Sequence, residues 1–238
     1  QALEDCVGPE VPVILLSSAA VYGPARPAAY AEVDPPQPTG PLGQGKRIAE
    51  QALRAGARRT ALRLGLLYGP GHLPLTPTGR HPDGLQRLRH GRSIPTPRGA
   101  TLQPLASRDL GGLVRRLLAD PTPPRLLNVA GPVSVGWRGW LGAWAHALGC
   151  PVPACVPTSR AALVAAATPA LAAFIHALLS PPQLDRRTLD GYHPGPWTSL
   201  TEGVAEAAAA LAAPELRAVE PAAGGPDSGG PEGPAGRR

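Results

Sequence analysis

Residues 11–23 read Val-Pro-Val-Ile-Leu-Leu-Ser-Ser-Ala-Ala-Val-Tyr-Gly, an apolar run that ends at two serines and a turn. Apolar residues without alternation, some of them β-branched, are typical of a strand that is buried on both faces of a parallel sheet. Residues 22–41, which are rich in proline, glycine and alanine, predict a loop over the carboxyl end of this strand. Open α/β sheets bind their ligands at that end, so functional residues are expected there.

A helix and a second strand are predicted next. Gly40-Pro41 begins the helix, because proline is tolerated in a first helical turn. Ile48, Ala49, Ala52 and Leu53 then recur at helical spacing and should face the sheet. We expect Val11–Leu16 and Thr60–Leu67 to be adjacent parallel strands, joined by a right-handed crossover through this helix.

The rest of the sequence predicts further helices, strands and loops. The pattern predicts a loop over 69–82, a short helix over 84–89, an extended segment over 94–105, a helix over 110–119, a strand over 126–129, a helix over 137–148, a helical segment over 161–180 broken at Pro169, and a last helix over 200–213. The fold class is therefore α/β, a partial doubly wound (Rossmann-like) parallel sheet with a small, mostly helical C-terminal lobe. We expect residues 1–213 to form this unit and residues 214–238, which are rich in proline and glycine, to be a disordered tail.

The composition argues against several classes of protein. Charged residues are 17% and hydrophobic residues 43% of the 238, as in an ordinary globular protein with a buried core. No apolar run approaches the ~20 residues of a membrane span; residues 161–179 come closest, but Thr168-Pro169 interrupts them. The net charge is +6, yet aromatic residues are only 4% and do not interleave with the arginines, so nucleic acid is not an expected partner. A phosphate-bearing small molecule fits the charge better.

The cysteines predict neither a disulfide framework nor a metal site. Cys6, Cys150 and Cys155 are an odd number, and no histidine pair lies near the last two at zinc spacing. Free thiols in a reducing cytoplasm are the expected state, with no metal.

Three motifs surround the two strands and the helix between them. Residues 17–23 read Ser-Ser-Ala-Ala-Val-Tyr-Gly, residues 41–46 Pro-Leu-Gly-Gln-Gly-Lys, and residues 63–70 Arg-Leu-Gly-Leu-Leu-Tyr-Gly-Pro. They resemble the Ser-Ser-x-x-Val-Tyr-Gly, Pro-Tyr-x-x-x-Lys and Arg-x-x-x-x-Tyr-Gly-Pro motifs of the extended short-chain dehydrogenase/reductase family, and within it the NAD-dependent epimerase/dehydratase group. Four later segments resemble that family in the same order: residues 108–110, 126–131, 189–194 and 199–204. The resemblance runs from about Val11 to Leu211.

The resemblance implies an active site at these motifs. Lys46, the only lysine of the chain, matches the lysine that lowers the pKa of a catalytic tyrosine and holds the cofactor ribose, but Leu42 stands at the tyrosine position. Ser18 matches the serine that hydrogen-bonds the substrate oxygen, and Ser17 matches a neighbour near the nicotinamide. The backbone of Tyr68-Gly69-Pro70 matches a loop that holds the nicotinamide carboxamide.

Alternatives to these roles remain open. A serine just past a strand end is also an ordinary turn cap, so Ser17 and Ser18 have a structural interpretation as well. Tyr30 is a candidate substitute acid, although no helical register places it near Lys46. Glu32 and Asp34 are expected to fix the loop rather than to touch substrate.

The resemblance implies NAD or NADP as the cofactor, but the phosphate-binding loop of that site is not found. No Gly-x-x-Gly-x-x-Gly follows an early strand, and such a loop binds the pyrophosphate at a helix N-terminus. We expect three to four βαβ-type steps of roughly 30 residues each to precede Gln1, with residues 1–7 the tail of a helix already begun. The alternative is a family member that lacks this half. The chain alone should bind cofactor weakly or not at all.

Two functions of different classes follow. The first is an NAD(P)-dependent epimerase/dehydratase-type oxidoreductase acting on a nucleotide sugar or a similar carbonyl or hydroxyl substrate. The second is a catalytically silent relative, a binding or regulatory protein that keeps the ligand cleft, because the alkyl side chain of Leu42 can neither donate nor accept a proton. The expected location is the cytoplasm, and the resemblance leaves room for a homodimer.

Overall fold

The computed structural model describes Gly8 and residues 11–53, 58–71, 83–166 and 179–212. The predictions for residues 1–7, for the segment after Ala165 up to 178 and for the tail 214–238 fall wholly or mainly outside the described residues. The described strands are β1 (Val13–Ser18), β2 (Arg59–Leu64), β3 (Leu66–Tyr68), β4 (Ile94–Pro97), β5 (Thr101–Leu102), β6 (Pro104–Ala106), β7 (Leu126–Val129), β8 (Val135–Gly136) and β9 (Cys155–Thr158). The helices are α1 (Pro41–Ala52), α2 (Asp83–Arg89), α3 (Ser107–Ala119), α4 (Trp137–Ala147), α5 (Arg160–Ala165), α6 (Arg187–Tyr192) and α7 (Leu200–Ala212), and a 3₁₀ turn spans Ala19–Tyr22.

The main sheet contains three strands in the order β1-β2-β7. β1 pairs with β2 in parallel, with Val13 opposite Arg59 and Ser18 opposite Leu64. β2 pairs with β7 in parallel from Ala61 opposite Leu126. The prediction that the first two strands are adjacent and parallel is confirmed, with α1 as the connection between them; the handedness of that crossover stays a prediction. The α/β fold class, with parallel strands and a predominantly helical part after β7, is also confirmed.

The prediction of one strand over Thr60–Leu67 is wrong. The strand divides at Gly65, and β3 leaves the main sheet to pair in parallel with β6. Gly65 lies in a crowded position, where an added Cβ would approach the Gln103 carbonyl oxygen at 3.3 Å and Ala130 Cβ at 3.4 Å. Because apolar residues continue at 66–68 after Gly65, the apolar pattern did not mark the division.

The two largest of four hydrophobic clusters among the described residues lie on the main sheet and in the C-terminal lobe. Leucines cover the main sheet, among them Leu62, Leu113 and Leu127, each with no exposed surface. The other core lies in the C-terminal lobe, where Tyr68 packs edge-on against Trp140 with ring centroids 5.2 Å apart, and Trp140 against Trp144 at 5.7 Å. Tyr68 therefore joins β3 to α4.

Burial makes Tyr68 a pH-sensitive part of this core. Desolvation raises the pKa of Tyr68 from its usual 10 to about 12, and the carboxylates of Asp109, Glu206 and Glu202 add to the rise. The neutral phenol is thus favoured in the folded state, so its contribution to stability is complete below about pH 10 and declines between about pH 10 and 12. Two pK units correspond to about 2.7 kcal/mol. Urea unfolding at pH 8, 10 and 11.5 should show a decline that is smaller in Tyr68→Phe; an equal decline in both proteins would contradict this assignment.

Candidate functional site

The predicted site residues of the first two motifs lie at the carboxyl end of β1 and on the helix above it. Lys46, on α1, donates from Nζ to the carbonyl oxygen of Leu16 at 2.7 Å. Ser17 and Ser18, which follow Leu16 directly, end the strand. The structure therefore brings the lysine of one motif onto the strand of the other.

A glycine allows α1 to lie this close to β1. Gly43 is buried, and an added Cβ would lie 2.9 Å from Pro38 Cβ and closer still to the carbonyl oxygen of Ala20. Leu42, which is half-buried, lies in the first turn of α1 next to Gly43, one helical turn before Lys46.

The two serines differ in what their hydroxyls do. Ser17 is buried, and its Oγ donates to Glu50 Oε1 at 2.5 Å, so a protein group already uses this hydroxyl. Ser18 is partly exposed and accepts the backbone N–H of Ala20 at 3.2 Å, which makes it the cap of the 3₁₀ turn. Since that bond uses only the oxygen of Ser18, the O–H remains a donor for a ligand.

Of the predicted site residues in the third motif, Tyr68 and Gly69 are buried and Pro70 is exposed. The Tyr68 side chain is 1% exposed within the lobe core, so only its backbone is available to a cofactor. Gly69 is buried against Ser107, where a Cβ would lie 3.0 Å from Ser107 Cβ and closer to its hydroxyl, and Pro70 is exposed. The cofactor-binding roles of Ser17, Tyr68, Gly69 and Pro70 stay predictions.

The substitute acid considered for the missing tyrosine is engaged elsewhere. Tyr30 is 8% exposed, its hydroxyl donates to the Pro24 carbonyl oxygen at 3.0 Å, and its ring stacks on Tyr22 with centroids 4.7 Å apart. Proton transfer by Tyr30 would require this loop to rearrange.

Both acidic residues of the loop have structural partners. Asp34 accepts the backbone N–H of Ala31 and a bond from Arg26, and these two contacts, the backbone bond foremost, lower the pKa of Asp34. Glu32 accepts the backbone N–H of Asn128 at 2.9 Å. Such contacts fix the loop over the end of β7.

Sequence reasoning missed a buried polar network beneath Lys46. Glu50 accepts hydrogen bonds from Ser17 and from Arg63, whose Nη2 lies 2.8 Å from Glu50 Oε2. The guanidinium of Arg63 also lies over the ring of Tyr22, 4.6 Å from its centroid, and Tyr22 donates to Asn128 at 2.8 Å. One signal existed: Glu50 follows Lys46 by four residues, so both occupy one face of α1.

The described residues contain neither a metal-ligand cluster nor a membrane-spanning helix. No group of three or more His, Cys, Asp or Glu side chains there could hold a metal ion. None of the described helices is long and apolar enough to cross a membrane.

Comparison with known proteins identifies a family. A sequence profile described as "NAD dependent epimerase/dehydratase family" matches residues 1–118. No curated protein matches the chain significantly.

Solved structures share the fold. A human epimerase family protein with NADPH has a TM-score of 0.66 at 23% identity, covering 86% of this chain and 68% of that chain. A dTDP-glucose 4,6-dehydratase from Bacillus anthracis in complex with NAD has a TM-score of 0.68 at 13% identity, covering 90% and 65%. A functionally unknown conserved protein from Silicibacter pomeroyi has 0.66 at 22% identity, covering 87% and 70%.

The chain thus spans about two thirds of the length of these solved structures. Its motifs, its parallel sheet and the profile match lead to the same assignment. Over residues 1–118, which the family profile matches, the chain belongs to the NAD-dependent epimerase/dehydratase family.

Proposed function

We propose that the chain provides the nicotinamide-ribose side and the substrate side of an NAD(P)-dependent oxidoreductase of epimerase/dehydratase type. The substrate would be a nucleotide sugar or a similar carbonyl or hydroxyl compound. The observation that carries the proposal is Lys46 Nζ bound to the Leu16 carbonyl beside Ser18, at the carboxyl end of β1. The solved relatives named above support it, since one is in complex with NAD and another with NADPH.

The side chains at this edge fit the ribose end of such a cofactor. An ammonium group has three N–H donors, and among the described residues only the Leu16 carbonyl accepts from Lys46. Two donors therefore remain for ribose hydroxyls. The O–H of Ser18 remains for a substrate oxygen next to them. NAD or NADP, when bound, accepts or returns a hydride, whereas Lys46 and Ser18 hold and orient the reacting groups.

The described residues place no free acid–base side chain at the tyrosine position of the motif, where proton transfer would need one. Leu42 stands where the family has a tyrosine, and the phenol of Tyr30 is bonded to the Pro24 carbonyl. This observation favours a second candidate function, a catalytically silent relative that binds the same ligands in a binding or regulatory role. Cofactor binding is common to both candidates, and only turnover separates them.

We also propose a location, a folded unit and an assembly for this protein. We place the protein in the cytoplasm, with residues 1–213 as the folded unit and 214–238 as a tail. The prediction that Ile48 faces the sheet is wrong, because its side chain is 65% exposed on α1. A homodimer is the proposed assembly, and Ile48 is a candidate contact.

Cofactor titration tests the proposal. In the full-length polypeptide, Lys46→Ala should weaken NADH or NADPH binding by roughly tenfold to a hundredfold, because hydrogen bonds from a charged group contribute about 1.5–3 kcal/mol. Arg47→Ala is the matched control: this neighbouring cation is exposed and donates to the Pro36 carbonyl, away from β1. Nicotinamide fluorescence measures both affinities, and equal affinities in the two variants would reject the proposed cofactor site.

A further inference from the structure

The buried network beneath Lys46 connects α1 to both strands that it crosses. Glu50 is one helical turn after Lys46, and its side chain is only 11% exposed. Its carboxylate accepts Ser17 Oγ of β1 at 2.5 Å and both Nε and Nη2 of Arg63 of β2, at 3.1 and 2.8 Å. Glu50 thus makes three charge-assisted contacts with the sheet, which are the stronger kind of hydrogen bond.

Arg63 is also buried, and its contacts leave only Nη1 without a hydrogen-bond partner among the described residues. Its side chain is 5% exposed and packs over the ring of Tyr22, which in turn donates to Asn128 of β7. Burial alone would lower the pKa of the Arg63 guanidinium, but the hydrogen bonds to Glu50 and Tyr22 outweigh it and raise that pKa. Glu50 and Arg63 thus form a buried ion pair between α1 and β2, and the contacts of this pair with Ser17 and Tyr22 extend the network from β1 to β7.

The two contacts of α1 with β1 occur in register. Lys46 reaches the carbonyl of Leu16, and Glu50 reaches the hydroxyl of the next residue, Ser17. Residues four apart lie on one helix face, so the pair of contacts fixes both the rotation of α1 and its height along the strand. A lysine side chain is long and flexible, and its head stays in one place only if the helix beneath it does.

We propose that Glu50, clamped by Arg63 and Ser17, is the positioning residue for Lys46. It holds α1 in the register at which the ammonium group reaches Leu16 and keeps its remaining donors at the ligand edge. This inference rests on the proposed function of Lys46 as the ribose-binding group. It also accounts for a buried ion pair at a place where two apolar side chains would stabilise the fold as well.

The single lysine permits a direct test without cofactor. The rate at which an acylating reagent modifies the Lys46 amine, measured by peptide mass mapping, reports how well Leu16 and α1 hold that amine. Glu50→Gln should speed the modification roughly tenfold, as expected when a hydrogen bond of a charged group is loosened. The double variant with Glu50→Leu and Arg63→Leu should show the same rise while keeping the cooperative unfolding of the parent protein, because no buried charge is left alone.

A matched control separates positioning from general loosening. Asp109→Asn weakens another, partly buried contact: the backbone N–H and the hydroxyl of Thr198 donate to the carboxylate of Asp109, which lies on α3. In the Asp109→Asn variant, the acylating reagent should modify the Lys46 amine at the same rate as in the parent protein. The inference would be overturned if Lys46 of the double variant were acylated at the parent rate, or if Asp109→Asn raised the acylation rate as much as Glu50→Gln. Neither outcome concerns cofactor affinity, so a failure of the proposed function would be recognised separately, in the titration of Lys46→Ala.

Discussion

Replacing Leu42 by tyrosine in the full-length polypeptide is expected to raise turnover by roughly 100- to 10,000-fold, the usual contribution of a positioned general acid–base group. The new phenol would stand one helical turn before Lys46 and beside the turn capped by Ser18. Gly43 keeps this end of α1 against the Ala20 carbonyl, so the hydroxyl would project at the same edge as Lys46.

The matched control is Leu42→Phe, which adds the ring without the hydroxyl. Nicotinamide absorbance, followed with a panel of nucleotide sugars and simple carbonyl compounds, should show the gain for tyrosine alone. Adding Lys46→Ala to the tyrosine variant should remove the gain. If Leu42→Tyr and Leu42→Phe both bind cofactor and are equally inactive, the result would favour the catalytically silent relative. A parent protein as active as Leu42→Tyr would place the chemistry elsewhere.

The largest expected loss of stability is that of Gly131→Ala. Gly131 follows β7 and lies against β6, where an added Cβ would be 2.6 Å from the carbonyl carbon of Pro104 and closer still to its oxygen. Both atoms belong to backbone that cannot rotate away, so strands must shift. Overpacking typically costs 1–3 kcal/mol and occasionally more; about 3 kcal/mol is expected here, which lowers the midpoint of thermal unfolding by roughly 10 °C.

Gly111→Ala provides the comparison. Gly111 lies within α3, and an added Cβ there would meet nothing within 4 Å. Alanine should therefore stabilise the helix by about 0.5–1 kcal/mol. Thermal scans of the two variants should move in opposite directions, and a Gly131→Ala protein that melts with the parent would show that β6 and β7 are not packed as described.

The main sheet was predictable from apolar stretches of the sequence, although β1 is mostly half-buried, with Leu16 45% exposed, and not buried on both faces as predicted. An apolar run marks β1, apolar residues interrupted by Arg63 mark β2, and the prediction of residues 126–129 matches β7 residue for residue. By contrast, β9 reads Cys-Val-Pro-Thr, and a proline within a run argues against a strand. Its partner β4 also contains prolines, so this small parallel pair depends on tertiary contact that no local pattern expresses.

The candidate site was predictable in position but not in contacts. The motifs placed Ser18 and Lys46 at one sheet edge, and Lys46 indeed reaches β1. The bond between Glu50 and Arg63 joins residues on a helix and a strand that are 13 positions apart, so no helical or strand periodicity relates them. That the Tyr68 side chain turns into the lobe core likewise depends on α4, which follows it by about 70 residues.

Three of the four tryptophans of the chain, at positions 137, 140 and 144, lie on one helix, α4. The indoles of Trp140 and Trp144 and the phenol of Tyr68 meet edge-to-face at centroid distances of 5.2 to 6.5 Å. Rings fixed so near one another couple their electronic transitions, so the near-ultraviolet circular dichroism and the indole emission of this protein report mainly on the lobe. An optical melt therefore follows the docking of α4 on β3, and the main sheet needs a separate probe, such as amide hydrogen exchange in β2.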